Sequence, residues 1–99
     1  MNLTLLEIYA KEAIKEFAPA YKFEWWKGNG AWGRTFYQQK LIKMNKKKFI
    51  ELKPNKRFSN FKHTLYHEIA HAITESGHDK KWKQSCADFG IKPERLHPN

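Results

Sequence analysis

His67, Glu68 and His71 sit in the run TLYHEIAH, residues 64–71, and His78 follows seven residues later behind Ser76-Gly77. Residues four apart on a helix share a face, so His67 and His71 can offer two imidazoles to one metal ion. Glu68 is turned about 100° from His67 and can reach a water held by that ion. This is the HExxH arrangement. Two histidines merely satisfied by hydrogen bonds fit less well, because the middle of an amphipathic helix otherwise favours leucine or alanine. A catalytic zinc usually takes a third protein ligand and leaves one position to water. His63 would extend the histidine ladder to about 12 Å and pull its outer members toward different points, and Glu75 has the same difficulty at the other end. His78 would stand about 16.5 Å from His67 on a continuous helix, but Ser76-Gly77 breaks the helix and lets the chain turn back. The expected site is one zinc ion on His67, His71 and His78, acidifying a water and polarising a carbonyl while Glu68 takes the proton. His63 is then a surface residue or one lying behind the ligands, and His97 has no role.

The elements that must position these residues follow from periodicity. Thr4-Leu-Leu-Glu7 has the capping-box form, and Leu6, Ala10, Ala13, Ile14 and Phe17 recur at helical spacing, predicting a first helix over residues 4–17. Residues 21–25 alternate, KGNG follows, and residues 32–38 are rich in aromatics, which together read as a hairpin. Residues 40–44 add a third strand. The lysine-rich segment 45–59 contains Pro54 and reads as an irregular connector with room for a short turn of helix. A second helix, carrying HExxH, is predicted from Ser59 or Asn60 to about Glu75 through Phe61, Leu65, Ile69 and Ala72. A third begins at Asp79, with Trp82, Cys86 and Phe89 on one face and Gly90 and Pro93 closing it. The fold class is α+β: a small antiparallel sheet of about three strands packed with about three helices.

Composition bounds the rest. Ninety-nine residues, 40% hydrophobic, suit a single domain over residues 1–99 with one core and one cleft. The lone Cys86 excludes an intrachain disulfide and a four-cysteine zinc site, and suits the cytosol. Neither a signal peptide nor a run of apolar residues of membrane-spanning length is present, so no membrane partner is expected. The net charge of +9 is concentrated in residues 40–62, where Lys40, Lys43, Lys46, Lys47, Lys48, Lys53, Lys56, Arg57 and Lys62 face Glu51 alone. Such clustering suggests a polyanion, single-stranded DNA above all if Trp25, Trp26 and Trp32 stack on bases, although core positions suit at least two of the three better. The simpler reading is a solvated lysine-rich face.

The run TLYHEIAHAITESGHDKKWKQSCADFGI resembles the SprT-like domain shared by bacterial SprT proteins and Spartan-type proteases, whose pattern runs TLxHExxH, then GH, then an aromatic followed by a basic residue. GRTFYQQKLIKMN is similar to that family's strand pair. The resemblance implies a zinc-dependent metallopeptidase with His67, His71 and His78 as ligands and Glu68 as general base. It also implies a protein substrate, which for Spartan-type members is protein bound or crosslinked to DNA. The cysteine-rich ribbon of many SprT-like proteins has no counterpart in this sequence, so DNA would be met through residues 40–62 or through a recruiting partner. The competing expectations are a peptidase with no nucleic-acid link and a nucleic-acid-binding module whose peptidase site has decayed. Glu68 argues against decay, since a structural metal site has no use for it.

Overall fold

The computed structural model describes residues 2–28 and 30–91. The chain runs α1 (Leu3–Phe17), β1 (Lys22–Trp26), β2 (Gly33–Phe36), β3 (Leu41–Asn45), α2 (Lys46–Glu51), α3 (Pro54–Thr74) and α4 (Lys80–Asp88). It is an α+β fold. Helix α1 forms where its periodicity places it, but Asn2 and not Thr4 caps it, the Asn2 side chain accepting from the Leu5 N–H at 2.9 Å.

The sheet is mixed, not antiparallel as expected. Strand β3 lies in the middle, parallel to β1 and antiparallel to β2. The hairpin expected between β1 and β2 therefore does not form. Residues 27–32 are too many for a tight turn, and Asn45, at the end of β3, captures them. Its Nδ2 donates to the carbonyls of Gly28 (3.0 Å) and Ala31 (3.2 Å), and its main-chain N–H donates to Trp32 (2.8 Å). The glycine-rich segment crosses the end of the sheet, leaving the middle position to β3.

The segment 45–59, expected to be irregular, is helical almost throughout. Pro54 occupies the first turn of α3, where a missing N–H costs nothing and a fixed φ helps. Arg57 reaches back and donates to the carbonyls of Phe49 (2.8 Å), Ile50 (3.0 Å) and Leu52 (3.0 Å), closing the C-terminus of α2. The HExxH helix is thus the third of four among the described residues and has 21 residues, about 31 Å of length.

The helices α1, α2 and α3 cover one face of the sheet, where Phe23, Ile42 and Met44 meet Leu6, Ile14, Phe49, Phe61, Leu65 and Ile69. Burial of these side chains supplies the main driving force for the fold. Helix α4 packs on another side of α3 through Ala70, Trp82 and Cys86. Burial pushes the Cys86 thiol up to about 11, which makes it a core residue and no nucleophile. No helix of the described residues is long and apolar enough to cross a membrane. Pro93 and His97 lie outside the described residues.

Asn45→Ala tests the pairing. It leaves two carbonyls of the crossing segment without their donor and should cost about 1–3 kcal/mol in urea unfolding. A loss under about 0.5 kcal/mol would mean that Asn45 does not hold the strand order.

Candidate active site

Helix α3 lies against β2 and β3, and the two sets of positions on it separate cleanly. Phe61, Leu65, Ile69 and Ala72 point to the core, while His67, Glu68 and His71 face a cleft of about 450 Å³ bordered by β2. The residues Gly30, Ala31, Trp32, Gly33, Arg34, Thr35, Tyr37, His63, Thr64 and His78 complete its lining. All four side chains singled out by spacing, His67, Glu68, His71 and His78, thus meet in one place.

Strand β2 approaches α3 at Glu68. A Cβ on Gly33 would stand 3.0 Å from Met44 Sδ and 3.1 Å from both Glu68 Cγ and Thr64 Cγ2, so only glycine fits without displacement. Two residues on, the Thr35 hydroxyl lies 2.9 Å from the Glu68 main-chain carbonyl and 2.9 Å from Glu68 Oε1, its proton shared between them. The carboxylate is therefore held beside the histidines by a neighbouring strand and not left to swing on its helix.

Trp82 organises the imidazoles. It is 1% exposed, at the start of α4, where Asp79 caps the helix by accepting from the Trp82 N–H at 3.0 Å. His71 stacks on the indole at 5.1 Å between centroids, and His67 and His78 meet it edge-on at 5.1 and 4.5 Å. The indole Nε1 donates to the His67 carbonyl at 3.3 Å. His71 and His78 come within 4.8 Å of each other. The chain reverses for this at Glu75, which takes a left-handed conformation with φ 48° and donates its N–H to the His71 carbonyl.

The donor set suits a zinc-type ion. His71 Nδ1 donates to the Ser76 carbonyl at 2.8 Å, which fixes the tautomer with the lone pair on Nε2. Two imidazoles sharing one tetrahedral zinc have centroids roughly 5 Å apart, the spacing found between His71 and His78. Among the described residues, no group of three or more His, Cys, Asp or Glu side chains is arranged to hold an ion as it stands. His63, 4.6 Å from the His67 ring, borders the cleft at its other end.

Electrostatics in the cleft wall follow from the same contacts. Burial, with Glu68, Glu75 and Asp79 nearby, raises the Tyr37 phenol above its ordinary value, so Tyr37 is a neutral hydrogen-bond donor. The Trp82 N–H holds the Asp79 carboxyl below the usual range.

The nine cations of residues 40–62 are spread from one end of α3 to the other. Lys40 bonds Glu75 beyond the C-terminus of α3, whereas Lys53 caps its N-terminus, at opposite ends of about 31 Å of helix. Lys43 stands 3.9 Å from Glu24 on the sheet. Arg57 is bound to the carbonyls closing α2. Lys46, Lys47 and Lys48 share α2, and Lys48 lies over Trp32, 5.4 Å from the ring centroid, at the border of the cleft. Lys56 and Lys62 are exposed on α3.

Gly33, Thr35 and Tyr37 carry no signal of a site in their types and spacings, Ser76 is legible as part of a helix break but not as the acceptor of His71, and the periodicity of α4 places Trp82 in the core. Its position four residues after His78, followed by a basic residue, was the available clue.

The sequence profile of the SprT-like family matches residues 3–98. Among curated proteins none matches. Among solved structures, the metallopeptidase zymogen abylysin of Pyrococcus abyssi is similar, with a TM-score of 0.60 and 18% identity, over 85% of this chain and 75% of that one.

Gly33→Ala is expected to fold yet displace Glu68 by a few tenths of an ångström. Hydrolysis of a peptide substrate should fall on the order of tenfold. Full activity in a folded variant would show that the β2 approach does not set the carboxylate.

Proposed function

We propose that this chain, which belongs to the SprT-like family, is a zinc-dependent peptidase acting in the cytosol. The observation that carries the reading is the meeting of His67, Glu68, His71 and His78 in one cleft around Trp82. His67, His71 and His78 would hold one ion. When bound, zinc supplies an acidified water and a Lewis acid for the scissile carbonyl.

The chain's own residues do the remainder. Glu68, kept in place by the Thr35 hydroxyl, accepts the proton of the attacking water and returns it to the leaving amine. The Ser76 carbonyl keeps the His71 proton on Nδ1, so Nε2 remains the basic nitrogen. Trp82 keeps water from the rear of the three rings and limits their rotation. The cleft beside β2 is open along the strand, suiting an extended peptide segment.

The substrate we favour is protein held on single-stranded DNA, including crosslinked protein, with Lys46, Lys47 and Lys48 as the first phosphate contacts. Lys48 over the cleft-lining Trp32 supports this, because it sets a cation at the cleft border. One observation favours a second reading, a peptidase that is recruited by a partner or has no nucleic-acid link: Lys40, Lys43 and Arg57 are engaged within the fold.

Two experiments decide these points. Glu68→Gln should bind zinc at the parent's stoichiometry while turnover of a peptide substrate drops on the order of 100-fold or more. Unchanged turnover would remove Glu68 as base, and a parent that cleaves nothing when loaded with zinc would remove the peptidase reading. Lys46→Gln, Lys47→Gln and Lys48→Gln combined should weaken single-stranded oligonucleotide binding and reduce the log–log salt slope by roughly 2. Equal slopes in variant and parent would favour the recruited or general peptidase.

A further inference from the structure

His78 reaches His71 only because the chain reverses immediately after α3. The reversal uses Glu75 in a left-handed conformation (φ 48°) that glycine or asparagine would adopt more easily. Lys40, in the turn joining β2 to β3, is the other described residue besides glycine with positive φ (53°). These two residues bond each other: Lys40 Nζ donates to Glu75 Oε2, and the Tyr21 hydroxyl donates to the same oxygen at 2.8 Å. Lys40 also lies over the Tyr21 ring, 5.3 Å from its centroid. Two side chains with unfavourable backbones therefore stand where glycine would be the conformationally easy choice, and each is the other's partner.

The same β2–β3 turn grips the next residue as well. Tyr37 donates its hydroxyl to the Ser76 carbonyl at 2.8 Å, the carbonyl that also receives His71 Nδ1. Beyond His78, the Asp79 carboxylate accepts from Ser76 Oγ and from the Trp82 N–H, each at 3.0 Å. The segment 75–79 is held on both sides of His78, while His78 itself is exposed between the anchors. Its position is dictated by what holds Glu75, Ser76 and Asp79, since no helix carries it.

We propose that Lys40, Glu75 and Tyr21 form a clamp that positions the His71–His78 pair for metal binding, with Glu75 and Lys40 as positioning residues and not as ligands or nucleic-acid contacts. The clamp rests on the zinc reading above. It reassigns Lys40 from the basic surface to the rear of the metal site, and it explains why Glu75, near enough in sequence to be a ligand, is turned toward the sheet. Residues contributed by the segment leading into β1, by the β2–β3 turn and by the end of α3 must all be in place before His78 can join His71.

A fold-stabilising role and a positioning role separate in Glu75→Gly. Glycine accepts the left-handed conformation without a Cβ, so the metal-free variant should keep the parent's melting temperature or exceed it. Its zinc affinity, measured by competition with a chromophoric chelator, should fall about tenfold or more, as for the loss of other groups that orient metal ligands. Glu75→Gln, which still accepts from Lys40 and Tyr21, should recover most of that affinity. Equal affinity in Glu75→Gly and parent overturns the clamp, and so does a loss that Glu75→Gln fails to restore. Should Glu75→Gly not fold, Lys40→Gly reads the pair from its other end, and an unchanged affinity there overturns the proposal equally. A parent that binds no zinc overturns the metal reading and the clamp together, whereas a parent that binds zinc confines any failure to the clamp.

Discussion

The close approach of β2 to α3 is the contact on which the cleft depends. At Gly33 the two elements leave no room for a Cβ, and at Thr35 a hydroxyl fills the remaining gap with bonds to Glu68. Were the strand an ångström farther out, Glu68 would be one more solvated carboxylate on a helix surface. Because β2 is an edge strand, its other side remains open, so one element both holds the Glu68 carboxylate and borders the cleft. The helix underneath serves two purposes at once. Its 3.6-residue repeat sends Phe61, Leu65 and Ile69 into the core and leaves His67, Glu68 and His71 for the cleft.

What holds the imidazoles differs from what holds the carboxylate. Helix α4 packs on α3 through Ala70, Trp82 and Cys86, and through Trp82 it touches all three histidines and seals their rear. Its cap, Asp79, directly follows His78, so the start of α4 and the position of His78 are set by the same few atoms. The Lys40–Glu75–Tyr21 contact works from the sheet side of the same loop. Histidine placement thus depends on α4 and on the Lys40–Glu75–Tyr21 contact, both outside the HExxH helix itself.

That His67, Glu68, His71 and His78 come together was legible in the sequence, because the spacing of the first three is helical and Ser76-Gly77 breaks the helix before His78. The α+β class was legible for the same reason: periods of 3.6 and 2 mark helices and strands. Strand order was not, since it turns on Asn45 binding carbonyls 14 and 17 residues away, and no local pattern announces that bond. The helices of the lysine-rich segment were hidden by composition. Their stability comes from buried Phe49 and from Arg57 closing α2, whereas Pro54 reads as a breaker until its place in the first turn is known. Thr35 and Tyr37 were illegible because a threonine and a tyrosine on a short strand and its turn are ordinary until the strand is seen against α3.

On the proposed reading, the three imidazoles gathered around Trp82 would hold one zinc ion and leave one position open. Zinc-edge X-ray absorption on the loaded full chain measures this directly. The account predicts a four-coordinate ion with three imidazole nitrogens and one oxygen at about 2.0–2.1 Å. A shell of oxygens without imidazole scattering, or a sulfur at about 2.3 Å contributed by Cys86, would contradict it.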